Sequence, residues 1–487
     1  ALRQIRHQNS VYLVGHDRQF GDIRSGLRFV IPDRRMEETG MTELRRDLGL
    51  TAALAIVIGT VIGSGIFRVP QAMINSVGSV QLVFLVWVVG GALSLAGALT
   101  YAELAAAMPG AGGEYVYLTE AYGPLWGFMY SWTQMWVAKS GSIATLATAF
   151  FEYTAHFIPE FEKVWFVLGP FSVRYGQVFA MVLILLLGLI NYFGVKIGGD
   201  VQVVVTAVKV GLIAFLILAG LFYSHPAASA APIPAPPLAT GFIAALVAAL
   251  WAYDGWNNVG MVASEVKNPK RNLPLALIGG TVAVIAIYML ANWAYFRVLT
   301  PAEVGAHKLV AAEMMQRVQG PTGAAAVSIA AMISIFAALN GSILTGARVP
   351  YAAARDGLFF RAAARVHPAF HTPGVSIMML SAWSSLLVLS GKYEELYTYV
   401  IFSSWILYAM ATAAVFVLRR KRPDLPRAYK TLGYPVVPFL FLAGAAILEV
   451  STLVHQPRES IAGILLILMG LPFYLYWTRK TATPPAR

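Results

Sequence analysis

The feature that most constrains this chain is a glycine-rich interruption inside an apolar run. Residues 59–67 read GTVIGSGIF within a segment from about Leu48 to Ile74. That segment is long enough to cross a bilayer, which takes roughly 20 apolar residues. Gly59, Gly63 and Gly65, with Ser64 between them, weaken helix where no water can receive freed amides and carbonyls. Two readings are open at this point. One is a small-residue packing face on an unbroken helix. The other is a discontinuous membrane helix whose second half presents free N–H groups, suited to an anionic group such as a carboxylate.

Composition supports the membrane setting. Of 487 residues, 58% are hydrophobic and 12% charged, against roughly 25% charged in an ordinary soluble domain. The sequence contains no cysteine, which excludes disulfides, thiol catalysis and thiolate metal sites. His367 and His371 share a basic loop and read as solvated rather than as metal ligands. No HExxH, Walker A or GxSxG motif is present, so hydrolysis and ATP-driven pumping have no residues to stand on, and no cofactor is expected.

Residues 1–46 read as a mixed, charged cytoplasmic tail, of which the first forty are either dispensable or an over-extended start, with TELRRDLGL after Met41 leading into the first helix. Apolar segments then recur at roughly 48–74, 80–107, 124–154, 176–194, 201–223, 240–263, 275–299, 323–347, 374–390, 395–418, 433–453 and 460–478, which predicts an all-α membrane protein of about twelve transmembrane helices. Placing both termini in the cytoplasm puts the basic runs near 267–271, 348–365, 419–430 and 479–480 inside. Most of the net charge of +12 is thus topological, and nucleic-acid binding needs no place in the account. A Pro/Ala-rich stretch, Pro226 to Pro237, reads as an extended outer spacer.

The sixth segment carries a second irregularity, WAYDGWNN over residues 251–258. Asp254 lies near mid-span beside Gly255, and an intramembrane carboxylate is a functional-site hypothesis by default, the alternative being a structural partner for a base elsewhere. Disrupted helices five spans apart are the pattern of a transporter built from two inverted five-helix repeats, with substrate held where the breaks meet. The boundaries expected are 47–223 for the first repeat, a linker at 224–239, 240–418 for the second, a basic loop at 419–432, two further helices in 433–478 and a tail at 479–487. Lys209, in the fifth segment, also demands a reason, because an ammonium at this depth costs about 3 kcal/mol unless it finds polar company. Its alternative is to snorkel to an interface. Glu103 and Glu265 lie close enough to the cytoplasm to be gate or structural ion pairs, and Lys139 is a further charge in the third segment with no role assigned.

These residues resemble a known family. GTVIGSGIF, YAELAAAMPGAGGEYVYL (101–118), WAYDGWNN running into ASEVKNPKRNLPLA (263–276), and LNGSILTGARVPYAAARDG (339–357) are similar to the amino acid–polyamine–organocation superfamily. SWTQMWVAKSGS (131–142) narrows the resemblance to the L-type amino acid transporter branch, whose animal members are the light subunits of heteromeric transporters. The resemblance covers about residues 45–480.

The resemblance implies a sodium-independent secondary transporter of L-amino acids working by alternating access, most simply an exchanger. It implies that the substrate carboxylate is held by backbone amides of Ser64, Gly65 and Ile66, and the amino group by carbonyls of Val61, Trp251 and Asp254. Trp251, Asp254 and Asn257 would form the gate or side-chain pocket. Lys209 would place its amine where sodium-coupled relatives hold sodium, bridging carbonyls near Gly59 and Ile62 to the eighth helix at Asn340 and Ser342. A branch member carrying cystine, dibasic and neutral amino acids has a similar WAYDGWN, so cationic substrates are an open possibility. Relatives that pair with a single-span glycoprotein do so through a cysteine, which this chain lacks; the expected partners are L-amino acid substrate and membrane lipid, with no disulfide-linked subunit.

Three other readings stand beside exchange. A lysine that releases its proton during the cycle would make a proton-coupled symporter. A non-transporting amino acid sensor would keep the site and lose alternating access. Tyr253-Asp254 and Gly198-Gly199-Asp200 superficially resemble the paired motifs of an intramembrane aspartyl protease, but the glycine motif lacks the usual spacing, precedes the tyrosine-aspartate pair, and falls in a predicted cytoplasmic loop.

Overall fold

A computed structural model describes residues 3–7, 10–14, 44–168, 171–224, 232–389, 393–455 and 457–482. It divides into two units, residues 1–41 and 42–487. In the first, strands β1 (Arg3–His7) and β2 (Ser10–Val14) pair antiparallel, Ile5 opposite Tyr12. Most of the tail expected to be dispensable, most of the Pro/Ala-rich spacer's first half (225–231) and residues 483–487 lie outside the described residues.

Among the described residues the second unit is mainly helical, with one antiparallel hairpin of β3 (Val164–Leu168) and β4 (Phe171–Arg174). Its first helices are α1 (Leu50–Val61), α2 (Gly65–Val77), α3 (Val80–Ala107), α4 (Glu114–Tyr122), α5 (Pro124–Thr133) and α6 (Lys139–Ala155). Then come α7 (Tyr175–Tyr192), α8 (Val195–Leu221), α9 (Leu238–Tyr253), the short α10 (Asn258–Met261), α11 (Pro269–Val298), α12 (Pro301–Ala306) and α13 (Val310–Gly346). The remainder are α14 (Arg348–Arg355), α15 (Gly374–Leu387), α16 (Tyr393–Lys421), α17 (Val436–His455), α18 (Pro457–Leu468) and α19 (Gly470–Ala482).

Among the described residues, nine helical stretches are long and apolar enough to cross a membrane, α1 and α2 being taken together as Leu50–Val77. Two more apolar helices, α9 and α15, are shorter. The number falls below the dozen apolar segments of the sequence because irregular backbone cuts some of them. A π-helical turn at Gln134–Ala138 separates α5 from α6, and α9 stops at Tyr253. Within α13, Gly320 (φ 71°, ψ −161°) precedes Pro321 and breaks the helix, so the stretch predicted from residue 323 begins at this kink.

Packing follows from small residues at helix crossings, since lipid is as apolar as a leucine side chain and gives no hydrophobic drive between helices. α1 packs on α11 where a Cβ added to Gly280 would lie 2.6 Å from Val57 Cγ1. α3 packs on α11 and α9 where a Cβ at Gly91 would lie 2.9 Å from the Tyr253 hydroxyl. α8 packs against α1 and α13.

One end of the bundle is tied by buried ion pairs. Leu48 and Val266 form a parallel bridge, with Leu48 N donating to Glu265 O at 3.0 Å and Lys267 N to Leu48 O at 2.8 Å. The Glu265 side chain is bidentate to Arg348, Nε to Oε1 at 2.8 Å and Nη2 to Oε2 at 3.1 Å, and neither side chain has exposed surface. Glu103 accepts from Arg419, Arg427 and the Thr431 amide and hydroxyl. Glu103 and Glu265 are therefore both in ion pairs.

Removing one member of a buried pair strands its partner's charge, at about 3–5 kcal/mol. Arg348→Met should lower the melting temperature of the detergent-purified protein sharply, and Glu265→Gln combined with it should recover most of the loss. An unchanged melting curve for Arg348→Met would show that the pair contributes nothing to stability.

Candidate functional site

The first interruption is a true break. α1 ends at Val61, Ile62 leaves helical conformation (φ −75°, ψ 87°), and helix resumes at Gly65. The amides of Gly65 and Ile66, as the first residues of α2, have no acceptor within their own helix, and the positive end of that helix dipole faces the break. The small-residue reading also has substance, although the helix is not continuous. A Cβ on Gly65 would lie 2.6 Å from Ala252 Cβ and 2.7 Å from Ala252 Cα, so the absence of a side chain lets α2 lie directly on α9.

The second break lies opposite. α9 ends at Tyr253, Asp254 is extended (φ −60°, ψ 144°), Gly255 takes φ 105°, and helix resumes at Asn258 as α10. Positive φ at Gly255 is open to glycine and costly for a branched side chain. Two hydroxyls stitch the breaks together. Thr60 Oγ1 lies 2.7 Å from Ile56 O in its own helix and 3.1 Å from Gly255 O across the gap. The Tyr288 hydroxyl, from α11, lies 3.0 Å from Val61 O and 2.8 Å from Ala252 O and donates its one proton to either. Thr60, Val61, Gly63, Ser64, Gly65, Trp251, Asp254, Gly255 and Asn258 line one cavity, closed by Ser142 and Leu146 of α6 and Ser342 of α13.

The residues singled out from sequence distribute unevenly around this cavity. Val61 O already accepts from Gly63 N at 2.8 Å as well as facing Tyr288, and Trp251 O accepts from Asp254 N at 3.1 Å, so any further donor there shares or replaces a bond. Asp254 lines the cavity and also accepts from Tyr408 of α16, hydroxyl to Oδ1 at 3.1 Å. Trp251, almost fully buried, is in the lining. Asn257 is not among the lining residues: its amide donates to Glu114 Oε1, and its neighbour Asn258 is in the wall instead. Adjacent residues in unwound backbone point in different directions, which the pattern WNN could not reveal.

Lys209 is fully buried and does not snorkel. Its Nζ donates to Gly59 O at 2.7 Å and Ile62 O at 2.6 Å, the carbonyls that the break leaves without helical donors. Gln202, Thr206 and Lys209 recur at helical spacing on the face of α8 toward α1, and Thr206 Oγ1 donates to Ala55 O at 3.2 Å. The link to α13 runs through Ser334, whose hydroxyl donates to Ile62 O at 3.0 Å. Asn340 is engaged with Gln202 and Asn191, at 3.0 and 2.8 Å, and Ser342 faces the cavity. Ser334 and Tyr288 escaped the sequence reading because each lies in a plain apolar run, where the one available signal is that a buried hydroxyl needs a partner.

Two broken helices meeting across a polar cavity in a bundle of apolar spans are the layout of a membrane transporter, and the chain belongs to the amino acid permease family, whose sequence profile matches residues 48–475. It is an integral membrane amino acid transporter, not an enzyme. The serine/threonine exchanger SteT of Bacillus subtilis is 35% identical over 445 residues, covering 90% of this chain and 98% of that protein. Human b(0,+)-type amino acid transporter 1 is 32% identical over 467 residues, 92% of each chain. Human large neutral amino acids transporter small subunit 2 is 31% identical over 455 residues, 91% of this chain and 82% of that one.

Gly65→Val places a branched side chain against the Ala252 backbone and should abolish uptake while leaving membrane insertion intact. Uptake by reconstituted protein and the amount of inserted protein are the two measurements. Robust transport by the valine variant would show that the closeness of α2 to α9 is dispensable.

Proposed function

We propose that this protein is a sodium-independent exchanger of L-amino acids working by alternating access. The observation that carries the reading is the Lys209 ammonium on the Gly59 and Ile62 carbonyls. A fixed cation there does what a bound sodium ion would do, holding the broken first span against α8, while Ser334 ties the same Ile62 carbonyl to α13. The fold proposed is twelve transmembrane helices in two inverted repeats of five, residues 47–223 and 240–418, with two further helices after them. Both termini are placed in the cytoplasm, in a bacterial-type plasma membrane, from the distribution of basic loops.

An amino acid zwitterion needs donors at one end and acceptors at the other. The amides of Ser64, Gly65 and Ile66 at the start of α2 supply the donors, and the carbonyls of Val61, Trp251 and Asp254 the acceptors. The α-ammonium replaces or shares the Gly63 and Asp254 amide bonds to those carbonyls. Trp251 covers the substrate, and Asp254 and Asn258 meet its side chain, with Asn257 supporting them from behind. If Lys209 keeps its charge through the cycle no proton moves with the substrate, and the empty site, with no anion at the start of α2, crosses the membrane reluctantly, whereas the loaded site crosses readily. Coupling to a second substrate follows from that asymmetry, and the similarity to an exchanger of serine and threonine is consistent with it.

Preloaded proteoliposomes should release labelled L-serine rapidly into external L-serine and slowly into empty buffer, whether sodium or choline is present. Lys209→Ala should cut that exchange by about tenfold or more, as the break loses its charge-assisted bonds. Rapid release into empty buffer, or accumulation driven by an inward proton gradient alone, would favour proton symport instead. Decarboxylated amines should neither bind nor exchange if the α2 amides hold the carboxylate. Substrate binding with no counterflow would leave the sensor reading.

The breadth of substrates turns on Asp254, which both lines the cavity and bonds to Tyr408. Asp254→Asn should weaken arginine and lysine transport about tenfold more than leucine or alanine transport. Equal losses in competition assays would assign the carboxylate to the Tyr408 contact alone.

A further inference from the structure

A buried ionic cluster stands beside the second break, outside the carboxylate and ammonium sites. Glu114, the first residue of α4, is fully buried and accepts from Asn257 Nδ2. Lys139, the first residue of α6 after the π-helical turn, is 3% exposed and donates from Nζ to Asn258 Oδ1 at 2.7 Å. Asn257 and Asn258 are consecutive residues at the junction where unwound backbone becomes α10. Opposite charges from two different elements therefore grip adjacent side chains of one hinge.

The surroundings are shaped to admit these two groups. A Cβ on Gly346 of α13 would lie 2.4 Å from Lys139 Cγ, so the lysine stem occupies the place of a side chain there. Gly112 N donates to Met261 O at 2.8 Å, and a Cβ on Gly113 would lie 3.0 Å from Met261 N, which seats the turn before Glu114 on the backbone of α10. Asp254 and Glu114 both lie within electrostatic reach of Lys139, so two carboxylates share one ammonium. π-Helical turns inside helices recur at functional sites, and this one sets the direction in which Lys139 leaves the third span.

We propose that Glu114 and Lys139 are positioning residues that fix the direction in which α10 leaves the break, holding Asn258 and the Asp254 carbonyl toward the substrate cavity. Unwound backbone has lost the intrahelical bonds that would otherwise set this angle, and charge-assisted bonds are the strongest replacements a buried site offers. The inference rests on the cavity being the amino acid site, since it concerns affinity there. It does not depend on exchange.

The test compares wild type, Lys139→Met, Glu114→Gln, the double variant and Gly346→Ala, using L-serine as probe. It is run at pH 8, above the value of about 7 to which burial lifts the Glu114 carboxyl. Counterflow gives KM and maximal rate, and ligand-induced thermal shift of purified protein gives affinity without transport. Lys139→Met leaves two carboxylates without a counter-charge and should raise KM about tenfold or more, with a smaller change in maximal rate. The double variant removes one charge of each sign and should lie closer to wild type than Lys139→Met does. Gly346→Ala displaces the lysine stem without changing charge and should raise KM in the same direction. Unchanged KM in Lys139→Met, or a double variant equal to the product of the singles, would overturn the proposal. Should Lys139→Met fail to fold, unchanged KM in both Glu114→Gln and Gly346→Ala overturns it as well. A wild type that binds L-serine without exchanging it counts against the exchange reading, and the thermal-shift series still decides this one.

Discussion

The structure depends on how backbone opened in the middle of a membrane is satisfied. Each unpaired amide or carbonyl in a lipid environment costs several kcal/mol, so a helix stays broken only if every freed group finds a partner. Here the partners can be named. Gly59 O and Ile62 O take the Lys209 ammonium, Ile62 O also takes Ser334, Val61 O faces Tyr288, and Gly255 O faces Thr60. Most of these donors come from neighbouring helices rather than from the broken ones, so the break is a property of the assembled bundle. Ser64 and Gly65, at the start of α2, line the cavity, and Ile66 is not in its wall.

Glycine serves two ends in this arrangement, and they reinforce each other. At Gly255 it supplies a positive φ that ends α9 cleanly. At Gly65 it allows contact with Ala252, bringing the start of α2 within reach of the end of α9. Gly59 serves the second end again: a Cβ there would lie 2.0 Å from Gln202 Nε2 and 2.5 Å from Thr206 Oγ1, so its bare backbone lets α8 approach near enough for Lys209 to reach the carbonyl. One property of the residue type thus yields a break, a close crossing and a charged contact.

Much of this was legible in the sequence because the groups concerned are costly in a membrane. Glycines in an apolar run, a lysine at mid-span and an aspartate between aromatics each need a reason, and each lies at or beside a break. What stayed hidden was direction. Asn257 and Asn258 are indistinguishable in a string of letters, yet one bonds to Glu114 and the other lines the cavity. Asn340 and Ser342 looked available to Lys209, but Ser334, about two turns earlier on α13, is the residue that meets Ile62. Rotation within unwound backbone and the register of one helix against another are set by tertiary packing. Neither leaves a periodicity to read.

The same energetics bear on where this molecule can move. At the end of the bundle that holds Leu48, Glu265 and Arg348 are wholly buried and bidentate, and parting them would strand two charges. On the other side of the first break, Arg68 of α2 pairs with Glu152 of α6, whose carboxylate side chain is 31% exposed. The Arg68 side chain is 9% exposed, so the pair is half-buried, and water entering on the Glu152 side makes it cheaper to part than the wholly buried pair. Of these two pairs, Arg68–Glu152 is therefore the one that yields more readily. Glu103 is the looser of the two ion-paired carboxylates near the Leu48 end, because its partners Arg419 and Arg427 retain solvent contact at 23% and 10% exposure and can be rehydrated one at a time, which the Glu265–Arg348 pair does not allow.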